Sequence, residues 1–437
     1  MQHTFKLVFA TLLLPTLLQA QSIKEISLSE AVELGIANSK NLKLAQSKID
    51  EVIAKLNIVN DNALPSASAS FLYNHAEIPT RTLGIGGGGP IHLPTRADAF
   101  VGTASIQELI YGGNKLKYAR ESTKLLADIV RLDLERNKEE VRYAVINTYF
   151  ALYKLRQSKK IVNQNLGSIA SQLKQAQKFF AQGVVTKNDV LRFQLQQANI
   201  SLTNLEIENN LKIVNYNLAI LLGLAEDTEI IVEENDLGVG KIENFGSYLN
   251  AALTSRQELQ QLELQNKVAD YNIKTIKADK LPTVGLGANL YYINPSGSFI
   301  PPTNQFVVPV TFGATVSWNV ANLWKNKHRV AEAAIQQREL EIQKTILSDQ
   351  LKTEVNKNYQ TYLLSVQKID VLQTSIVQAT ENDHLLDSKY RNNIASVTDR
   401  IDAETLLYQA KINLEIAKAE AGLAYYTLLK STGKISK

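Results

Sequence analysis

The chain has 437 residues, 45% of them apolar and 21% charged, with one methionine and no cysteine. The absent cysteine excludes disulfides, thiol nucleophiles, Cys-ligated zinc and iron–sulfur clusters, as well as a lipid-anchored N-terminal cysteine. The 47 basic and 43 acidic residues give a formal charge of +4, a balance that lends no support to a nucleic-acid partner. The five histidines, at 3, 75, 92, 328 and 384, form no HExxH or other ligand spacing, so the sequence points to neither a metal centre nor a cofactor.

In chain order, Lys6 precedes an apolar run over 7–18 that is broken by Pro15, and Gln19-Ala20 offers a cleavage point. This predicts a secretory signal peptide over 1–20. The alternative, an N-terminal anchor, is disfavoured because the run is shorter than the roughly 20 residues needed to span a bilayer. No later segment has 18 consecutive apolar residues, so a membrane role would have to use strands, whose alternating signal is weaker.

The mature chain repeats itself at an offset of about 210 to 217 residues. NALPSASASFLY (62–73) matches DKLPTVGLGANLYY (279–292), FFAQGVVTKNDVL (179–191) matches KYRNNIASVTDRI (389–401), and Leu222-Gly223 falls on Thr432-Gly433. The order of the matches predicts two structural repeats, 21–223 and 246–437, joined by an acidic segment over 224–245. That segment is expected to lie as a belt around the molecule's middle or to be a solvated linker. Each repeat opens with a helix of about 35 residues, over 27–62 and 245–280. Two alternating strands follow, 64–74 with 99–111 and 281–293 with 305–319, separated by uncharged turn-rich loops at 83–95 and 294–304. Long helices come next, over 113–182 and 321–392. Short turns then lead into helices over 186–222 and 397–429.

The long helices carry a heptad seam. Leu134, Val141, Thr148, Leu155, Val162, Ile169 and Ala176 recur every seventh residue, with Val145, Leu152, Leu166, Leu173 and Phe180 four further on and Lys159 intruding. About 70 residues of helix span on the order of 105 Å, several times the width of a compact domain, so such helices need partners along their length. The polar faces are rich in Gln, Asn, Ser and Lys, as in 191–210, and meet water.

The strand segments are long enough for tilted transmembrane strands, which need roughly 9–11 residues. Aromatics near their ends, Tyr73, Tyr111, Phe312 and Trp318, suit interfacial girdles. The strands alone fit a soluble β-subdomain equally well. Four strands cannot close a membrane barrel, whose smallest examples have about eight, and open edges cannot face lipid. A membrane reading therefore requires several chains to pool strands, three of them giving twelve.

The chain resembles the TolC-like outer-membrane efflux protein family over nearly all of its mature length. The resemblance is carried by ISLSEAVELGIANSKNLKLA (26–45), IQELIYGGNKLKYA (106–119), AQGVVTKNDVLRFQLQQA (181–198) and YRNNIASVTDRIDAETLLYQAK (390–411). It implies a mainly α fold with a small β part: duplicated coiled-coil helices forming a trimeric α-helical barrel, continued by a 12-stranded transmembrane β-barrel with four strands per chain. It implies no catalysis. The function implied is an exit duct in the outer membrane of a Gram-negative bacterium, extending into the periplasm. Its partners would be two further copies of itself, outer-membrane lipid, a periplasmic adaptor protein and an inner-membrane RND or ABC transporter, for efflux or type I secretion. The competing reading is a structural coiled-coil envelope protein without a pore. A periplasmic hydrolase lacks any nucleophile–base constellation.

Channel chemistry resides in lumen charge and in the gate. Asp399 and Asp402 lie three apart on one predicted helix and share a face, so a trimer would present two stacked carboxylate rings. Asp189 and Asp399 each follow a turn, where an acid also stabilises a helix N-terminus, and that plainer role leads for Asp189. By resemblance the gate would use Asp189 and Tyr390, whereas the family's arginine position falls on Ala395. Arg391 or Arg400 is then the substitute cation, with Lys187 a further candidate partner. The turns with Gly183, Val184 and Val185, and with Asn393, Ile394 and Ala395, are expected to meet the adaptor. Gly183 and Asn393 suit left-handed turns.

Overall fold

The computed structural model describes residues 23–77, 96–233, 242–295 and 306–433, with 79, 82, 83, 87, 89, 91, 92 and 435 besides. The signal peptide lies outside the described residues, as do most of the two strand-linking loops and 234–241 of the inter-repeat segment. The elements run β1 (Ile23–Ile26), α1 (Leu28–Asn38), α2 (Lys40–Asp61), β2 (Ser66–Glu77), β3 (Thr82–Leu83), β4 (Ile91–His92), β5 (Arg96–Tyr111), α3 (Lys115–Ala181) and α4 (Lys187–Leu222). They continue as β6 (Glu229–Val232), α5 (Phe245–Ser255), α6 (Gln257–Ala278), β7 (Thr283–Pro295), β8 (Val310–Ser317), α7 (Asn322–Arg391) and α8 (Val397–Ser431).

The element lengths echo each other: α1 and α5 have 11 residues each, α2 and α6 have 22 each, α3 and α7 have 67 and 70, and α4 and α8 have 36 and 35. Each expected opening helix is in fact two. The first breaks at Ser39, which has an extended backbone (ψ 118°) and whose hydroxyl accepts from Leu42 N–H at 3.3 Å as a new N-cap. The second breaks at Arg256 (ψ 124°), whose guanidinium grips Glu258 at 2.9 Å. The inter-repeat segment also differs from a free linker. Its EIIV stretch is β6, paired in parallel with β1, with Ile230 and Val232 buried.

The chain forms two compact units. One holds residues up to 42 with 137–255 and 351 onward. Its first core packs Val145, Tyr149, Phe150 and Leu152 of α3 against Leu218 and Leu222 of α4 and the β1–β6 pair. The Tyr149 hydroxyl donates to Ile26 O and accepts from Glu233 N–H, each at 3.1 Å; burial pushes its pKa up to about 12. Close approach sets the sequence here. A Cβ on Gly35 would fall 2.5 Å from Val145 Cγ2. Gly223, at φ +69°, ends α4 where a Cβ would meet the Asn38 side chain at 2.6 Å. A further core joins Tyr248 and Ala252 of α5 to Val355 and Tyr362 of α7 and Leu428 of α8.

The other unit holds 43–136 and 256–350. Its centre is an antiparallel sheet in the order β2-β5-β7-β8. Asp279, just past α6, is bound by Lys115 at 2.6 Å and Arg329 at 2.8 Å, so the first turns of α3 and α7 are tied to the end of α6. Asn326 of α7 donates to Ile276 O at 2.7 Å and Trp318 Nε1 to Lys280 O at 2.9 Å. The strands β2, β5 and β7 begin two or three residues from the expected starts, whereas β8 covers about half of the expected 305–319.

Candidate functional site

Two features carry the chemistry: the sheet, and the tips of the helical hairpins.

Paired residues of an antiparallel sheet share a face, and the register sorts this sheet into two unlike faces. The central rungs of one face are Ser66, Gln107, Gly287 and Gly313, then Ser68, Ser105, Asn289 and Thr311, then Ser70, Thr103 and Tyr291. Hydroxyls bond across it, Ser68 to Ser105 at 2.8 Å and Ser70 to Thr103 at 2.6 Å. The opposite face carries Ala67, Ile106, Ala288 and Phe312, then Ala69, Ala104, Leu290 and Val310, then Phe71, Gly102 and Tyr292. Tyr73 stacks near Phe100 at 4.9 Å on the same face. The apolar rungs of this face are bounded by Glu108, beside the bulge that shifts register between Leu109 and Tyr111, and at the other end by His75 paired with Asp98. Phe312 is 83% exposed. Among the described residues the outer strands β2 and β8 leave both edges of this sheet unpaired.

The hairpin tips belong to the unit built around α3, α4, α7 and α8. Each turn is made the same way. Gly183 (φ +75°) and Asn393 (φ +59°) are left-handed. Val184 N–H donates back to Phe179 O at 2.9 Å, and Ile394 N–H to Lys389 O at 2.8 Å, closing each preceding helix. Thr186 and Ser396 then cap α4 and α8 in reciprocal boxes with Asp189 and Asp399. The Asp189 carboxylate accepts from Thr186 N–H at 2.8 Å, and that of Asp399 from Ser396 N–H at 3.1 Å. The Ser396 hydroxyl, and then its N–H, hold the Asp399 carboxyl below its ordinary range. Both aspartates therefore have a helix-capping role within the chain, and Asp402 is exposed three residues further along α8.

Beneath the turns lies a core of Val162, Ile169, Ala176, Phe193, Ile200, Tyr390 and Val397. Tyr390 is 3% exposed, its ring 6.1 Å from both Phe179 and Phe193, and its hydroxyl has no hydrogen-bond partner. Burial raises its pKa. Ala395 packs on the same core. Arg400 is turned inward, 4% exposed, and lies 2.5 Å from Asp383 and 3.3 Å from Asp387 of α7. Arg391 stays exposed and pairs with Asp387 at 2.8 Å. The apolar tips themselves are open: Ile394 is 75% and Val184 46% exposed, with Val185 half-buried. Lys187 is exposed.

Asp383, Asp387, Glu404 and Gln172 escape the sequence reading. The heptad register explains part of this. The buried partners of Val162, Ile169 and Ala176 along α3 are Ser158, Asn165 and Gln172, a polar row one position off the predicted apolar one. Phe180, placed in the seam by the predicted register, is exposed, and Phe179 packs in its stead. A row of small or amide residues every seventh position was the available signal.

A sheet with one apolar and one polar face, joined in sequence to long helical hairpins with exposed tips, defines a subunit of an outer-membrane channel. The family model of the outer membrane efflux proteins matches residues 32–224 and again 248–434, and the chain belongs to that family. It is a TolC-like, non-catalytic transport protein of the outer membrane that serves as an efflux channel. Among solved structures, VceC of Vibrio cholerae is similar with a TM-score of 0.77 at 15% identity, over 93% of this chain and 96% of that one. The Campylobacter jejuni CmeC outer membrane channel gives 0.76 at 15%, over 94% and 87%. The open state of the Neisseria gonorrhoeae MtrE channel gives 0.73 at 14%, over 94% and 89%. At these identities the likeness is one of fold. No curated protein sequence matches the chain.

Proposed function

We propose that three copies of this chain form one pore, and that it serves as the exit duct of a pump complex. The observation that carries this is the two-faced sheet with two open edges. Four strands with unpaired edges cannot stand in lipid. Pairing β2 of one copy with β8 of the next removes every edge, and three copies supply twelve strands. The apolar face then meets lipid and the hydroxyl face lines water. The helices of the three copies line the periplasmic passage, with their tips as its gate.

At that gate Asp399 and Asp402 form two carboxylate rings. Asp189 and Tyr390 shape the closed state, Arg400 fastens α8 to α7 through Asp383 and Asp387, and Arg391 holds Asp387 from within α7. The exposed tips, Gly183, Val184 and Val185 with Asn393, Ile394 and Ala395, dock a periplasmic adaptor that links the duct to an inner-membrane transporter of the RND or ABC class. Substrate choice rests with that transporter, because a wide wet passage offers little selectivity. The purified full-length chain in detergent should have the mass of three chains by light scattering. A monomer or dimer under conditions that preserve its secondary structure would overturn the assembly.

A further inference from the structure

The seam between α3 and α8 holds an ionisable group that the gate described above does not use. Glu404 lies one turn past Arg400 and is 8% exposed. Its Oε2 accepts from the Gln172 amide of α3 at 2.7 Å, and the same amide also donates to the Ser168 hydroxyl, one turn earlier on α3, at 3.2 Å. Its Oε1 is buried with no hydrogen-bond partner, and so is the amide oxygen of Gln172. One pair of buried side chains thus carries two orphaned acceptors.

An ionised carboxylate is costly in such a place unless a cation meets it. The nearby cation Arg400, on the same helix, makes its ion pairs with Asp383 and Asp387 of α7, and its charge only partly offsets the burial of Glu404. Arg391 is spent on Asp387, and Asp383 adds repulsion of its own. From α4, Arg192 and Gln196 reach only hydroxyls, those of Thr398 and Thr405. A proton on Glu404 removes the charge and turns one orphaned acceptor into a donor. Burial correspondingly pushes this carboxyl above its usual range.

We propose that Glu404 is a proton-dependent latch, whose protonated carboxyl holds the first turns of α8 against α3 and whose ionisation releases them. The inference rests on the tip being the gate, and it adds the ion that controls it. A carboxyl with a raised value in the docked state favours docking while the proton is on. That preference is lost as pH rises through the docked-state value, the proton leaving to water. The Glu404 contribution therefore favours docking at the lower end of the range in which this carboxyl titrates and disfavours it at the upper end.

Hydrogen exchange of 397–412, measured on the full-length chain in detergent from about pH 5 to 8 to bracket a raised carboxyl, tests this. Rates are corrected for intrinsic exchange, with peptides of α4 as the internal reference. Protection of α8 should fall several-fold as pH rises while α4 stays constant. In Glu404→Gln, an amide pair with Gln172 can satisfy both orphaned acceptors, and protection should stay high throughout. Gln172→Met removes a bond that favours the ionised form and should move the transition to higher pH. Flat protection in the wild type, an unchanged pH dependence in Glu404→Gln, or an unmoved transition in Gln172→Met would overturn the latch. Exchange reads the hairpin and not the current, so the latch can stand even if removing the carboxylate rings leaves cation block unchanged, the result that would sink the gate alone.

Discussion

Ile106 and Ser105 are neighbours on β5 that point to opposite faces of the sheet, and arginine at each position separates the two faces. Ile106 shares its rung with Ala67, Ala288 and Phe312, whereas Ser105 shares its rung with Ser68, Asn289 and Thr311. Both lie in the stretch of β5 that is paired on both sides, so Ile106→Arg places a guanidinium within the apolar band. An arginine at the bilayer midplane of a barrel costs about 2–4 kcal/mol, and the three copies of a trimer together lose about 6–12 kcal/mol. That is comparable to the whole stability of an ordinary domain, about 5–15 kcal/mol. Ser105→Arg meets water, and its cost should stay within about 0.5 kcal/mol per copy, as for other solvated surface changes. The assay is the fraction of chain recovered as trimer in the outer-membrane fraction, supported by urea unfolding in lipid vesicles. Ile106→Arg should lose most of its trimer and Ser105→Arg should match wild type. Equal recovery of the two variants, or the reverse order, would refute the assignment of the faces.

Other positions give independent checks. Gly35→Val drives side-chain atoms into Val145 and should destabilise the α1–α3 contact by about 1–3 kcal/mol through overpacking, read as a lower denaturation midpoint; an unchanged midpoint would contradict the close approach. Tyr390→Phe deletes a buried hydroxyl without a partner and should be neutral or stabilising, whereas Tyr390→Ala should cost about 3–5 kcal/mol; a marked loss in Tyr390→Phe would show that the hydroxyl finds a partner in the assembly. The lowered Asp399 pKa implies that its capping contribution is complete above the ordinary carboxylate range and fades as pH falls through the folded-state value, so Ser396→Ala should weaken this acid-side loss of α8 protection. Asp399→Ala combined with Asp402→Ala should raise the concentration of multivalent cation needed to block current, and unchanged block would show that these carboxylates do not line the constriction.

Much of the architecture is legible in the sequence because it rests on periodicity and duplication. The long helices end within two residues of their expected bounds, since Gly183 and Asn393 mark the turns and Thr186 and Ser396 the restarts. The breaks at Ser39 and Arg256 are less visible, because neither glycine nor proline marks them and a single extended ψ suffices. The short β1–β6 pair is hidden for another reason: four residues of EIIV read as strand only once IKEI is beside them. At the tips, Asp189 and Asp399 could be placed by spacing, but their capping bonds depend on the local turn. The inward turn of Arg400 depends on Asp383 and Asp387, a full α7–α8 turn away in sequence. The seam register slipped by one position along α3 because Ser158, Asn165 and Gln172 are polar yet buried. That slip concealed Glu404, whose partner is one of them.

The central claim is that this chain assembles into a water-filled pore across the outer membrane. Recording from planar lipid bilayers after adding the purified full-length protein tests it most directly. The structure predicts discrete, uniform current steps that a trivalent cation, added on the side where the helical tips emerge, reversibly reduces. Properly folded trimer that enters the bilayer and leaves it electrically silent at all voltages and pH values would contradict the account.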